Sequence, residues 1–374
     1  MIPLLTILFV LAFAYYLLFL RRVWCGLVRL HRRTGTTSPS VSIIVAARNE
    51  ESSIVRCIES LLQQDYPGGQ FEIIIVDDHS TDGTEDIVRS FVERGPDSKI
   101  SLITASHDAD PIGKPNAIAK GIQICQGDII LQTDADCVAP PGWMRSMISY
   151  FEPSVAFVAG PVLEAPGASL FSKLFSLEFL GLITTSAGLI GSGKPIICNG
   201  ANIAYRKSAF IAVSGFGDQA SSCDDETLMQ RIIARKAGEV VFNPDPDAAV
   251  TTAAPASLWE FWKQRTRWAA KRGRYEDSSI VWQLIFLYLF FAVALVSAVA
   301  AFFEPTLWYF IVAVLLLKLI ADLLVLRKGA EKLRREIRPI QFLIAELLHV
   351  PYIAVAGLAG QFLSLRWKGR TLEK

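Results

Sequence analysis

The chain has 374 residues and a net charge of +1, so no strongly basic domain is implied and nucleic acid is a poor partner. Apolar residues make up 52% of it and mean hydropathy is +0.37, too apolar for an ordinary soluble enzyme. Its six cysteines (Cys25, Cys57, Cys125, Cys137, Cys198 and Cys223) contain no C-x-x-C pair, which argues against a zinc site or disulfide framework and for reduced thiols.

In chain order, residues 2–20 form an almost unbroken apolar run, long enough for a membrane-spanning helix. No charged residue precedes it and no small-residue cleavage site follows, so an uncleaved anchor is expected over residues 1–22. Arg21, Arg22, Arg29, Arg32 and Arg33 come next, and by the positive-inside rule the domain after them is cytoplasmic.

Val41–Ala46 reads as a strand, residues 50–63 as a helix, and Asp65 to Gly69 as a turn. A buried-type strand Phe71–Val76 runs into Asp77-Asp78, followed by a helix Thr81–Glu93 with Asp82 available as its cap. A strand over Ile100–Thr104, a helix over Pro115–Cys125 and a strand over Asp128–Gln132 lead to Asp134-Ala135-Asp136. Such alternation implies a parallel sheet, with ligands beyond the carboxyl ends of its strands. That rim carries Arg48, Asp77, Asp78, Asp134 and Asp136.

At the C-terminal end, residues 280–303 and 306–326 are two apolar runs, joined by a short turn at Glu304-Pro305 with Trp308 and Tyr309 as interfacial anchors. Lys318 and Asp322 lie one helical turn apart in the second run, and are read as a self-neutralising pair or as a functional site. The basic stretch Arg327 to Arg338 should be cytoplasmic. Residues 340–365 contain Glu346, His349 and Pro351; a simple span would leave Arg366, Lys368 and Arg370 outside, whereas a bent or re-entrant helix would return them.

Several side chains suggest chemistry. Asp134 and Asp136 form a D-x-D whose carboxylates can share one hard cation with substrate phosphates, though loop acids of this kind are common. Asp78 can accept from a base N–H or ribose hydroxyl, or cap a helix. Asp224-Asp225-Glu226 stands before a helix at Thr227–Lys236 and reads either as a cap or as a general base. Gln264-Arg265-Thr266-Arg267-Trp268 lies in an aromatic, basic segment from Trp259 to Tyr275, suited to an interfacial helix or to an arginine on pyrophosphate with an indole on a sugar. There is no P-loop, no G-x-G-x-x-G and no Ser-His-Asp or Cys-His arrangement, and His31, His79, His107 and His349 have no metal-ligand spacing.

From Val41 to Trp268 the chain resembles glycosyltransferase family 2, the inverting group with the GT-A fold. The resemblance is carried by SIIVAARNE (Ser42–Glu50), IVDDHSTDGT (Ile75–Thr84), GKPNA (Gly113–Ala117), TDADC (Thr133–Cys137), CNGAN (Cys198–Asn202), Asp224-Asp225 and QRTRW (Gln264–Trp268), in the family's order. It implies an α/β, Rossmann-like GT-A domain at residues 38–275, with interfacial helices, inserted between the anchor and a C-terminal membrane region at 280–374. Glu50 and Asp78 would contact the nucleotide base and ribose, and Lys114 would lie close to the nucleotide. Asp134 and Asp136 would bind Mg²⁺ or Mn²⁺ on the diphosphate, Asp225 would be the catalytic base, and Gln264, Arg267 and Trp268 match the family's Q-x-x-R-W. Asp224 stands where many relatives carry Glu. Residues 168–190 then read as an interfacial helix bordering the acceptor entrance or as a core helix. The expected activity is transfer of a sugar, most simply from a UDP-sugar, to a lipid or lipid-linked acceptor by a multi-pass membrane protein. GDP or polyprenyl-phosphate donors, a processive polysaccharide synthase and an inactive membrane scaffold are the alternatives; a transporter would have no use for the large soluble domain.

Overall fold

A computed structural model describes residues 2–35, 37–67, 71–94, 99–105, 113–217, 224–269, 277–362, 365–367 and 370–372. Of the residues singled out above, Gly68, Gly69, His107, Cys223, Tyr275 and Lys368 lie outside this set, as do the side chains of Asp224, Arg366 and Arg370. The first half of the chain comprises α1 (Ile2–Arg29), β1 (Val41–Ala47), α2 (Ile54–Leu62), β2 (Phe71–Asp77), α3 (Thr84–Val92), β3 (Ile100–Thr104), α4 (Lys114–Ile124), β4 (Ile129–Asp134), α5 (Trp143–Ile148), β5 (Val155–Ala159), β6 (Val162–Ala165) and α6 (Leu170–Gly191). The second half comprises β7 (Ile203–Arg206), α7 (Lys207–Ala212), α8 (Asp224–Ala234), β8 (Glu239–Phe242), β9 (Val250–Ala253), α9 (Leu258–Ala269), α10 (Ser278–Ala300), α11 (Leu307–Lys332) and α12 (Pro339–Phe362), then a short hairpin of β10 (Leu365–Trp367) and β11 (Arg370–Leu372).

Two compact units result. A sheet unit holds Leu30–Ala165 and Gly193–Ala253; a helical unit holds Met1–Arg29, Pro166–Ser192 and Ala254–Lys374. The chain thus leaves the sheet unit for α6, returns to it, and leaves again before α9.

The sheet unit is built on seven strands in the order β3-β2-β1-β4-β7-β5-β8. The strand–helix alternation implies a parallel sheet, and β3, β2, β1 and β4 are indeed parallel. Beyond β4 the sheet is mixed, because β7 pairs antiparallel with both β4 and β5. β7 is a four-residue strand reached after α6, with no crossover pattern of its own to announce its direction. β1 is buried along almost its whole length, as the continuous apolar sequence of a central parallel strand requires. Helix α2 buries Ile54, Cys57, Ile58 and Leu61, the spacing of one helical face. Gly121 lets α4 lie close on the sheet, since a Cβ there would come within 3.0 Å of Ile44 and 3.2 Å of Val76. Register then fixes the rim: Ala47 pairs with Asp77 and Ala46 with Asp134, so β1, β2 and β4 end level.

The helical unit contains α1, α6, α10, α11 and α12, five helices long and apolar enough to cross a bilayer. Helix α1 runs beyond the expected 2–20 to Arg29, and α11 carries the second run on to Lys332. The α1–α6 crossing uses small residues: a Cβ on Gly188 would stand 2.5 Å from Val23, and one on Gly26 would strike the Gly188 carbonyl. Helix α6 buries Leu174, Phe175, Phe179, Ile183 and Leu189 and leaves Leu170 and Phe171 exposed at its start. Helix α12 runs unbroken from Pro339 to Phe362 with Pro351 inside it.

Lys318 and Asp322 pair at 2.6 Å, but the pair is part of a larger network. The Lys318 ammonium also meets Glu346 at 2.6 Å and His349 Nδ1 at 3.0 Å, and the Tyr16 hydroxyl donates to Asp322 at 2.6 Å. Three donors on one buried ammonium find three acceptors, which ties α1, α11 and α12 together in a low-dielectric interior.

Candidate active site

Two loops build the first side of the site, one after β1 and one after β2. Asn49, at φ +50°, accepts from Thr81 N at 2.8 Å and donates its own N–H to Ser80 Oγ at 3.0 Å. Glu50 N donates to Thr84 Oγ1 at 2.7 Å, and Gly83 N to Glu51 Oε2 at 2.9 Å. Asp82 accepts from Thr84 N at 3.1 Å, but it is not the cap expected of it: α3 starts three residues later than Thr81, and its N-cap is Gly83. The Arg48 guanidinium donates to the carbonyls of Asp78 and His79 at 2.8 and 3.0 Å, which supports the left-handed turn at His79 (φ +60°). Asp78 is buried; its Oδ1 faces His79 Nδ1 at 2.9 Å and accepts from Gly113 N at 3.3 Å. The Glu50 carboxylate is held by Ser53 Oγ at 2.7 Å.

The second side is charged. The Lys114 ammonium, at the start of α4, lies 2.5 Å from Asp134 Oδ1 at the end of β4. Asp136 accepts from Thr252 Oγ1 at 3.3 Å. Beneath these acids lie two buried thiols, Cys57 and Cys137. Burial pushes both well above the ordinary thiol range, and the neighbouring carboxylates of Asp136 and Asp134 push them further. They are neutral thiols, held so first by burial and then by the acids at the end of β4. Paired carboxylates at a strand end, all oxygen donors, are the chemistry a hard divalent cation takes. The residues present therefore fit Mg²⁺ or Mn²⁺.

Asp225 joins this group through a glycine. Its Oδ2 accepts from Gly200 N at 2.7 Å and its Oδ1 from Glu226 N at 2.8 Å, in the first turn of α8 rather than before the helix. A Cβ on Gly200 would lie 3.2 Å from Lys114 Nζ and 3.3 Å from Asp225 Oδ2. The absence of a side chain there lets the lysine, the D-x-D and Asp225 converge. Asn202 anchors the same loop from behind: fully buried, it accepts from Trp143 Nε1 at 2.8 Å and donates to the carbonyls of Pro161 and Ala248.

Within the sheet unit, then, the structure brings together Lys114, Asp134 and Asp225, with Asp136 two residues along and Asp78 bound to the residue preceding Lys114. Gln264, Arg267 and Trp268 lie on α9, in the helical unit. Sequence reasoning assigned no role to the Gly200 amide, Thr252 or Asn202. CNGAN contains two of these groups, but a backbone N–H leaves no residue-type signal, and Thr252 sits on a strand with no motif around it.

Models of two related families match the chain: "Glycosyl transferase family 2" over residues 42–213 and "Glycosyl transferase family group 2" over residues 129–324. The chain belongs to glycosyltransferase family 2. Similar family 2 proteins include a beta-monoglucosyldiacylglycerol synthase of Synechocystis sp., 30% identical over 262 residues, covering 66% of this chain and 50% of the relative. A poly-beta-1,6-N-acetyl-D-glucosamine synthase of Staphylococcus epidermidis is 27% identical over 234 residues, covering 61% and 53%. The chain thus spans about half the length of the curated relatives it matches. In fold it is similar to the mannosyltransferase PcManGT of Pyrobaculum calidifontis, solved with GDP-Man and Mn²⁺, at 20% identity and TM-score 0.61 over 96% of this chain and 99% of that one. The mixed sheet is accordingly a GT-A-like domain, with long apolar helices before and after it in the chain.

Proposed function

We propose that this chain is an inverting glycosyltransferase that moves a sugar from a UDP-sugar to a lipid acceptor at the cytoplasmic face of a membrane. The observation that carries the reading is the convergence of Lys114, Asp134 and the Asp225 carboxylate around Gly200 at the carboxyl ends of the strands. The name of the Synechocystis relative supports a lipid acceptor. Five apolar helices support a membrane setting, and the arginines after residue 20 support a cytoplasmic sheet unit.

In this reading the GT-A domain spans residues 38–275, between the anchor at 1–22 and the membrane region at 280–374 along the chain. Asp78 holds the nucleoside, with Glu50 beside it, and Asp134 and Asp136 hold Mg²⁺ or Mn²⁺. A cation held there would supply neutralisation of the diphosphate charge, and Lys114, close to Asp134, would add a second positive charge beside it. Asp225 takes the proton from the acceptor hydroxyl as that oxygen attacks the anomeric carbon, and two backbone N–H groups hold its carboxylate in place. Gln264, Arg267 and Trp268 contact the diphosphate and the sugar.

The detergent-solubilised full chain, given Mn²⁺ and a native lipid extract, should release nucleotide from one of a panel of UDP- and GDP-sugars. Release that lipid stimulates and that Asp136→Ala abolishes is the expected result. Release unaffected by Asp136→Ala would rule out the metal assignment, and no release from any donor would rule out the enzyme.

A further inference from the structure

Arg265 sits inside the Gln264–Trp268 segment, at a position that carries no role in the motif reading of that segment. It is 3% exposed, among the most deeply buried charges of the helical unit. Its Nε and Nη2 both donate to Glu178 Oε2 of α6, at 2.9 and 2.5 Å. Tyr352 of α12 donates its hydroxyl to the other Glu178 oxygen at 3.4 Å. On the other edge of the guanidinium, Arg265 Nη1 donates to Gln264 Oε1 at 2.6 Å. The guanidinium also lies over three rings, with Trp268 at 4.3 Å, Phe261 at 4.8 Å and Phe179 at 5.6 Å.

A buried ion pair of this kind adds little to stability over well-packed apolar groups, so its retention calls for another reason, and fixing geometry is the best attested one. A guanidinium suits that role, because its five N–H groups lie in one rigid plane and the faces of that plane stack on aromatic rings. Here one edge is clamped to α6, the opposite edge fixes the Gln264 amide, and one face fixes the Trp268 indole. With its oxygen turned to Arg265, Gln264 has its NH₂ donors turned away from the guanidinium, the polarity that a phosphate or sugar oxygen needs.

We infer that Arg265, clamped by Glu178, is the positioning residue of this segment, setting Gln264 and Trp268 against α6 and α12 without touching substrate itself. The inference rests on the functional reading above, in which Gln264 and Trp268 contact the diphosphate and sugar. Glu178→Gln keeps the shape of the side chain and removes its charge; Arg265→Lys keeps the charge and removes the planar fork.

The test compares both variants with the wild type as full chains, using the donor that gives release with native lipid extract. Because a misplacement of about 1 Å can cost on the order of 10²-fold in rate, kcat should fall ~10- to 100-fold in both variants. Donor KM should rise as well, because Gln264 and Trp268 are donor contacts in that reading, and the melting temperature should fall with the buried pair, but kcat should fall further than the loss of folded protein accounts for. Glu178→Asp, which keeps the charge, should recover part of the lost kcat. Wild-type kcat in either variant would overturn the inference. So would a loss of activity that only tracks loss of folded protein in both variants, because the pair would then merely hold the fold. A wild type that releases no nucleotide removes the functional reading, and the inference with it.

Discussion

At the scale of single residues, Asp225 and Gly200 carry the chemistry together. General-base assistance is worth about 10²–10⁴ in rate, so Asp225→Asn should lower transfer by that much while nucleotide binding, measured by calorimetry, stays near the wild-type value. Retention of more than a tenth of the activity would remove Asp225 from the mechanism. Gly200→Ala tests the same geometry from the other side. Its new methyl group would press on Asp225 and Lys114 at 3.2 Å, so kcat should drop while the fold persists. The thiols below the D-x-D make a separate prediction. Cys57 and Cys137 are held neutral by burial and by the Asp136 and Asp134 carboxylates, so iodoacetamide at pH 8 should leave both unmodified until the chain is denatured. Since the folded state binds these protons more tightly than the unfolded state does, their contribution to stability is complete below the ordinary thiol value of 9.0 and is lost as pH rises past it.

At the scale of elements, the loops and crossings are held by groups with no spare partners. Asn202→Ala would strand the Trp143 indole N–H and two buried carbonyls, and should cost on the order of 3 kcal/mol in chemical denaturation. In the helical unit, Lys318→Met would leave the Asp322 and Glu346 carboxylates without their shared ammonium. Breaking a buried pair in this way costs about 3–5 kcal/mol, which a melting curve in detergent would register. Replacing Lys318, Asp322 and Glu346 together by apolar residues should restore much of the loss. Elements were also what the sequence made most legible. The first four strands and their helices carry periodicities that local physics dictates, and the acids at their ends could be read directly. The antiparallel entry of β7 could not, because direction is chosen by pairing with β4 and β5 rather than by four residues of sequence. Glu346 and His349 were visible as polar residues in an apolar run, but their partnership with Lys318 depends on how two helices pack.

At the scale of the whole molecule, the chain alternates between a sheet unit and a unit of apolar helices, with the acidic rim in one unit and the Gln264–Trp268 segment in the other. The same alternation of units limits how far the site could be read from sequence. Spacing along the chain placed Asp78, Asp134 and Asp136 on one rim, because parallel strands of matched register end together. It carried no information about the Gly200 amide or the Arg265–Glu178 clamp, which arise where segments distant in sequence meet. The central claim is sugar transfer to lipid with inversion at the anomeric carbon. The most direct test is to incubate the full chain with labelled UDP-sugar, Mn²⁺ and lipid, extract the organic phase, and determine the anomeric configuration of the product. A lipid-linked sugar of configuration opposite to the donor's, absent with Asp225→Asn, is the expected result; a product retaining the donor's configuration, or label that never enters the organic phase, would contradict it.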